Sequence, residues 1–199
     1  MRVLYLYCHP LEESFHAAIR DEAVAALGLA GHEVDLCDLY GEGFDPILTA
    51  ERRRNYHDLA LNREGLETHV ERLQRAEALV LQFPTWCFGL PAMLKGWFDR
   101  LLMPGVSFDL TDPNNVKPML THIRHVVGIS TYGRPRWVAW YVGDPPRKII
   151  TRYLPRLISK GLMNRGLKVN YHALYHMNVA SLDQRQRFIG QVKSAMGRL

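Results

Sequence analysis

Three short segments concentrate the residues able to bind or transform a small molecule. The first, His9-Pro10-Leu11-Glu12-Glu13-Ser14-Phe15-His16, follows an apolar run and opens a helical pattern. At such a junction the first helical N–H groups lack partners and the helix dipole is positive, which suits a phosphate. Ser14 reads either as a ligand to that anion or as a helix cap alone. Neither GxGxxG nor GxxxxGKS/T follows the strand, which weakens a Rossmann dinucleotide site and argues against a P-loop.

The second segment is Pro84-Thr85-Trp86-Cys87-Phe88-Gly89-Leu90-Pro91. Aromatic faces at the mouth of a core strand pack poorly unless something flat covers them, and an isoalloxazine ring is such an object. Exposed N–H groups here suit the ring's nitrogens and carbonyls. Alternatively, Trp86 and Phe88 pack under neighbouring loops, and Cys87 is either reactive or a structural thiol. In the third segment, Ser130-Thr131-Tyr132-Gly133-Arg134, small hydroxyls and a glycine let backbone approach a ligand closely.

No metal site is expected. His172 and His176 stand four apart and His122 and His125 lie near a strand start, but no carboxylate constellation accompanies either pair.

The elements that must position these segments follow from periodicity. Arg2–Cys8 reads as a buried strand and Phe15–Ala30 as an amphipathic helix with Phe15, Ile19, Ala23 and Leu27 on one stripe. Gly31 closes that helix, and His32–Leu36 begins a second strand. Gly41–Leu61 is polar and turn-rich. A helix over Leu66–Ala76 leads into a strand over Ala78–Phe83, and Pro91–Leu102 is a helix with proline at its start. Val106–Leu110 is a short excursion, and Ile123–Ser130 is a fourth strand. Lys148–Lys160 reads as helical, interrupted by Pro155. Lys168–His172 is a fifth strand and Asp183–Met196 the closing helix. The expectation is an α/β fold: one domain over residues 1–199, with a doubly wound, five-stranded parallel sheet and helices on both faces. Ligands of such sheets sit outside the strands' carboxyl ends, where the strand order switches, and that is where the three segments fall.

Composition fits a globular chain, 47% hydrophobic and 23% charged over 199 residues. No apolar run approaches a membrane span, and Val3–Cys8 turns charged too soon for a secretory signal. Cys8, Cys37 and Cys87 are widely spaced, so a reducing, cytoplasmic setting is expected. The net charge of +5 is spread over several helices without a nucleic-acid-binding motif, which fits a polyanionic cofactor better than nucleic acid.

Phe83-Pro84-Thr85-Trp86-Cys87-Phe88-Gly89-Leu90-Pro91-Ala92-Met93-Leu94-Lys95-Gly96-Trp97-Phe98-Asp99-Arg100 resembles the signature of the NAD(P)H dehydrogenase (quinone) family. That family includes eukaryotic quinone reductases, bacterial modulator-of-drug-activity-type NADPH:quinone reductases and ancillary proteins of potassium efflux systems. His9 with Ser14-Phe15, then Asp38-Leu39-Tyr40 and Phe44-Asp45-Pro46, match the family in order. The resemblance covers residues 1–135 well and the last third more loosely. It implies a flavodoxin-like homodimer holding FAD, or FMN, with NAD(P)H as electron donor and a quinone or similar small acceptor served in two steps.

By the same resemblance, His9, Ser14, Phe15 and His16 hold the phosphates. Pro84, Thr85, Trp86, Cys87 and Phe88 line the isoalloxazine, and Ser130, Thr131, Tyr132 and Gly133 cradle its other side. The Pro91–Leu102 helix helps form the dimer interface or serves as a core helix. Trp137, Trp140 and Tyr141 wall the acceptor pocket, or belong to dimer or core packing. Two departures stand out: His16 replaces the asparagine of many relatives, and no histidine stands beside Gly143-Asp144. Tyr132 and Tyr141 are the candidates to take that histidine's part. A flavin-binding regulatory subunit of a membrane potassium efflux transporter is the alternative reading.

Overall fold

A computed structural model describes residues 1–159 and 166–199. Strands β1 (Arg2–Tyr7), β2 (Glu33–Asp38), β3 (Ala78–Thr85), β6 (His125–Tyr132) and β7 (Lys168–Leu174) form one sheet in the order β2-β1-β3-β6-β7, with every pairing parallel. The chain runs one way from β1 to β2 and the other way from β3 onward. The order therefore switches between β1 and β3, and a crevice opens at their carboxyl ends. A two-residue antiparallel pair, β4 (Phe108–Asp109) with β5 (Lys117–Pro118), is the expected excursion between β3 and β6.

Side-chain alternation along the strands builds two cores. Val3, Tyr5 and Tyr7 of β1, with Val80 and Ile129, meet α1 (Phe15–Leu29) and α8 (Leu182–Met196) through Ile19, Leu27, Phe188 and Val192. Leu4, Leu6 and Cys8, with Leu81 and Phe83, meet α3 (Glu67–Arg75), α4 (Ala92–Leu101) and α7 (Leu154–Ile158) on the other face. The helix ends follow local chemistry. Gly31, at φ 81°, lets its own N–H reach Gly28 and the His32 N–H reach Leu27, closing α1 in a Schellman motif. Ser181 and Gln184 cap α8 reciprocally.

Gly96 of α4 has a different reason. A Cβ there would lie 2.3 Å from Pro46, so the Phe44-Asp45-Pro46 segment rests directly on the helix backbone. The same segment receives Arg100, whose Nη1 donates to the Asp45 carbonyl and whose guanidinium lies 5.2 Å from the Phe44 ring centre.

Several expected boundaries move. β3 and β6 run two residues further than their apolar runs, because Pro84 pairs with Thr131 and Thr85 with Tyr132. The turn-rich Gly41–Leu61 stretch contains a short helix, α2 (Ala50–Arg54), capped by Thr49. Residues after the third segment form α5 (Arg136–Tyr141), which periodicity did not indicate. The expected Lys148–Lys160 helix is three pieces: α6 (Pro145–Lys148), a wide turn over Ile149–Tyr153, and α7. Pro155 sits in the first turn of α7, where its missing N–H costs least; Lys160 lies outside the described residues.

Candidate functional site

The three segments meet at the carboxyl end of the sheet, and each touches the other two. The His9 and Trp86 rings lie 6.1 Å apart between the first and second. His16 Nε2 and Thr131 Oγ1 are 2.9 Å apart between the first and third, and Thr85 Oγ1 and Ser130 Oγ are 2.9 Å apart between the second and third.

In the first segment Ser14 caps α1: its Oγ accepts the Ala17 N–H at 3.1 Å and lies 3.5 Å from the Tyr7 hydroxyl. The N–H groups of Phe15 and His16 remain without partners among the described residues. His9 is half-buried and accepts the Leu11 N–H on Nδ1 at 3.1 Å, which leaves its proton on Nε2. Burial lowers its pKa from the ordinary value. Phe15 turns towards α8 and packs on Phe188 at 6.4 Å.

His16 turns inwards. Its ring is 2% exposed and stacks 5.5 Å under His9. Gln82 Nε2 donates to the His16 carbonyl at 2.6 Å and lies 3.2 Å from Nδ1, while Tyr5 donates its hydroxyl to Gln82 Oε1. Because an amide N–H meets Nδ1, the imidazole proton is on Nε2 and faces the Thr131 hydroxyl. Burial pushes the His16 pKa down to about 3, so the ring is neutral and offers no positive charge to a phosphate. Only its backbone N–H is left for that task.

In the second segment Trp86 to Gly89 form a tight turn closed by a 2.8 Å hydrogen bond from the Gly89 N–H to the Trp86 carbonyl. Cys87 (φ 50°) and Phe88 (φ 54°) are both left-handed. Side chains other than glycine, asparagine and aspartate rarely occupy both central positions of such a turn. Strain of this kind collects at ligand sites. Here it leaves the Cys87 and Phe88 N–H groups without partners among the described residues. Trp86 and Cys87 are exposed, Phe88 and Thr85 half-buried and Pro84 buried.

The third segment belongs to the strand: Ser130, Thr131 and Tyr132 are all buried. Tyr132, 1% exposed, donates its hydroxyl to Asp144 Oδ1 at 2.7 Å, lies 2.7 Å from the Tyr171 hydroxyl and stacks on Tyr175 at 4.6 Å. Burial and the neighbouring Tyr171 raise its pKa well above the ordinary phenol value, so it stays protonated. Tyr141 instead stands 79% exposed on α5, beside Trp137 at 68% and Trp140 at 79%. Trp137 and Trp140 are therefore not core residues.

Gln82, Tyr5, Asp144 and Asn178 were not apparent from the sequence. Gln82 and Tyr5 sit inside apolar strands, and only the alternation of faces places them under His16. Asp144 is left-handed (φ 46°) after Gly143; what the sequence does not signal is its contact with the Tyr132 hydroxyl, twelve residues away. Asn178 comes from the segment after β7 and lies against Gly133, where a Cβ would meet its Nδ2 at 3.0 Å.

The crevice thus offers unpaired N–H groups at the start of α1 and in the Trp86–Gly89 turn, aromatic faces, and a neutral hydroxyl floor. Phosphate oxygens and the carbonyls and nitrogens of a planar heteroaromatic ring suit that donor set, so the residues present fit a flavin.

A sheet of this order with this crevice defines a flavodoxin-like protein, and the family model described as the flavodoxin-like fold matches residues 1–149. The chain belongs to that family. NAD(P)H dehydrogenase (quinone) 1 of Cavia porcellus is 33% identical over 124 residues, 54% of this chain and 45% of that protein. The chain spans about half the length of the curated quinone dehydrogenases it matches. The uncharacterized NAD(P)H oxidoreductase YcaK of Escherichia coli K12 is 30% identical over 167 residues, 79% of this chain and 76% of that protein. Among solved structures, Smu.1420 from Streptococcus mutans UA159 superposes over 100% of both chains, with 25% identity and a TM-score of 0.82.

Proposed function

We propose that this chain, acting as one domain over residues 1–199, binds FAD at the carboxyl end of its sheet and passes electrons from NAD(P)H to a quinone-like acceptor. The observation that carries this reading is the meeting of three segments in one crevice, each supplying part of the donor set. When bound, a flavin supplies the capacity to accept a hydride and return two electrons.

The chain's own contribution is to hold and orient. The N–H groups of Phe15 and His16 at the start of α1 would hold the phosphates, with Ser14 fixing the turn. The Cys87 and Phe88 N–H groups stand as fixed donors towards ring carbonyls and nitrogens, which favours negative charge there without rearrangement. The exposed Trp86 and the Gly133 backbone, which packs against Asn178, would flank the ring. Tyr132, through its hydrogen bond to Asp144, reaches the place of the family's missing histidine and would hold a proton at its hydroxyl there. Tyr141 is too exposed to share that role within one chain.

The preference for FAD over FMN draws on a cavity of about 440 Å³ lined by Tyr175, His176, Gln184, Arg187, Phe188 and Gln191. Its lining residue Phe188 packs on Phe15 at the α1 terminus, so this cavity would take the nucleoside end of FAD. The exposed Trp137, Trp140 and Tyr141 are the surface a second copy would cover in a homodimer. A cytoplasmic setting accords with three free cysteines.

Flavin-free protein titrated with FAD and with FMN tests the reading. It predicts a saturable, one-to-one quench of flavin fluorescence, tighter for FAD. No quench with either flavin would overturn it.

A further inference from the structure

A second group of side chains lies on the α3 side of the edge strand β2. Cys37 comes from β2, Glu42 from the loop after it and His69 from α3. Cys37 Sγ lies 3.7 Å from Glu42 Oε2 and 3.7 Å from His69 Nδ1, and the three ligand atoms are all within 4.8 Å of one another. A tetrahedral zinc ion with ordinary bond lengths holds sulfur about 3.6 Å from a nitrogen or oxygen ligand. Two of the three edges already have that length. Thiolate, imidazole and carboxylate are also the donor types this ion takes, and three protein donors leave one position for water.

The surroundings hold the donors in place. The Phe44 ring meets His69 edge-on at 5.0 Å. Arg72 Nη1 donates to both Glu42 oxygens at 2.8 and 2.7 Å and so fixes the carboxylate, while its Nε lies 3.4 Å from Asp35. A carboxylate oxygen retains a lone pair after accepting one such bond. With a divalent ion bound, the Cys37 thiolate, the Glu42 and Asp35 carboxylates and the Arg72 guanidinium form a neutral cluster. Cys37 is fully buried, whereas Glu42 lies at the surface and His69 is half-buried, so an ion enters from the Glu42 side.

We propose that Cys37 Sγ, Glu42 Oε2 and His69 Nδ1 bind one zinc-type divalent cation, independently of any flavin. Sulfur–metal bond formation breaks the Cys37 S–H bond and releases its proton to solvent. The expectation of no metal site rested on sequence neighbours, and these donors are brought together only by the fold.

The test is equilibrium dialysis of the reduced, chelator-treated full chain against zinc chloride, with metal content measured on wild type, Cys37→Ser, His69→Ala and Cys87→Ser. The proposal predicts one zinc per chain in wild type and Cys87→Ser, with affinity about tenfold or more weaker in Cys37→Ser and His69→Ala. Should Cys37→Ser not fold, the surface-reaching His69→Ala carries the same comparison. No zinc retained by wild type, retention unchanged in His69→Ala, or loss in Cys87→Ser alone would overturn it. Cobalt substitution gives a second readout: intense tetrahedral bands in wild type support the site, and their absence contradicts it.

Discussion

Protonating His16 would strand a charge among Gln82, Tyr5 and Thr131, so the folded state resists it down to about pH 3. In an unfolded chain histidine titrates near 6.5. Between these values the unfolded state binds the extra proton. This contribution to stability is complete above about pH 6.5 and falls with pH, by up to about 1.4 kcal/mol per unit, until about pH 3. Urea unfolding of wild type and His16→Gln at pH 7.5 and 5.0 checks this. The variant is expected to be less stable at pH 7.5 by about 1–3 kcal/mol, with the gap narrowing at pH 5.0; a constant gap would contradict a neutral buried imidazole. At the same scale Tyr132→Phe removes the bond to Asp144 and leaves a carboxylate short of a donor. A loss of about 1–3 kcal/mol by the same measurement is expected.

Among the elements, the Trp86–Gly89 turn and helix α4 give opposite predictions. Cys87 is left-handed, which costs a non-glycine residue about 1–2 kcal/mol. Cys87→Gly should therefore raise the melting temperature slightly, after the glycine's own entropy cost, while weakening flavin retention by loosening the turn. A loss of stability would mean the turn is not strained. Gly96→Ala pushes a Cβ into Pro46 and should destabilise by about 1–3 kcal/mol or more, read from its urea midpoint. These two cases also show what the sequence discloses. The strands, their order of appearance and the α1 cap were legible because buried strands and helix ends have compositional signals. The depth of β3 and β6 was not, since Pro84 marks the end of an apolar run and only the pairing of Pro84 with Thr131 and Thr85 with Tyr132 carries the ladder further. The inward turn of His16 was invisible because its partner Gln82 lies in strand β3, 66 residues away. The Cys87-Phe88 turn depends on backbone angles that its residue types do not announce.

For the whole molecule, the doubly wound sheet explains why segments so far apart in sequence share one crevice: each leaves the carboxyl end of a strand near the switch between β1 and β3. Among the described residues no helix is long and apolar enough to cross a membrane. The exposed Trp137, Trp140 and Tyr141 give the molecule an apolar face next to the third segment. The homodimer proposal expects sedimentation to report two chains, and Trp137→Glu/Trp140→Glu to shift the species towards one. The central claim is that the crevice holds a flavin which turns over between a nicotinamide nucleotide and a quinone. The most direct measurement is anaerobic: flavin-loaded protein is mixed with one equivalent of NADPH or NADH, its visible absorbance is followed, and a benzoquinone is then added. The account predicts bleaching by at least one nucleotide and full recovery of colour on adding the quinone. Bound flavin that neither nucleotide bleaches, or that stays bleached after the quinone, would contradict it.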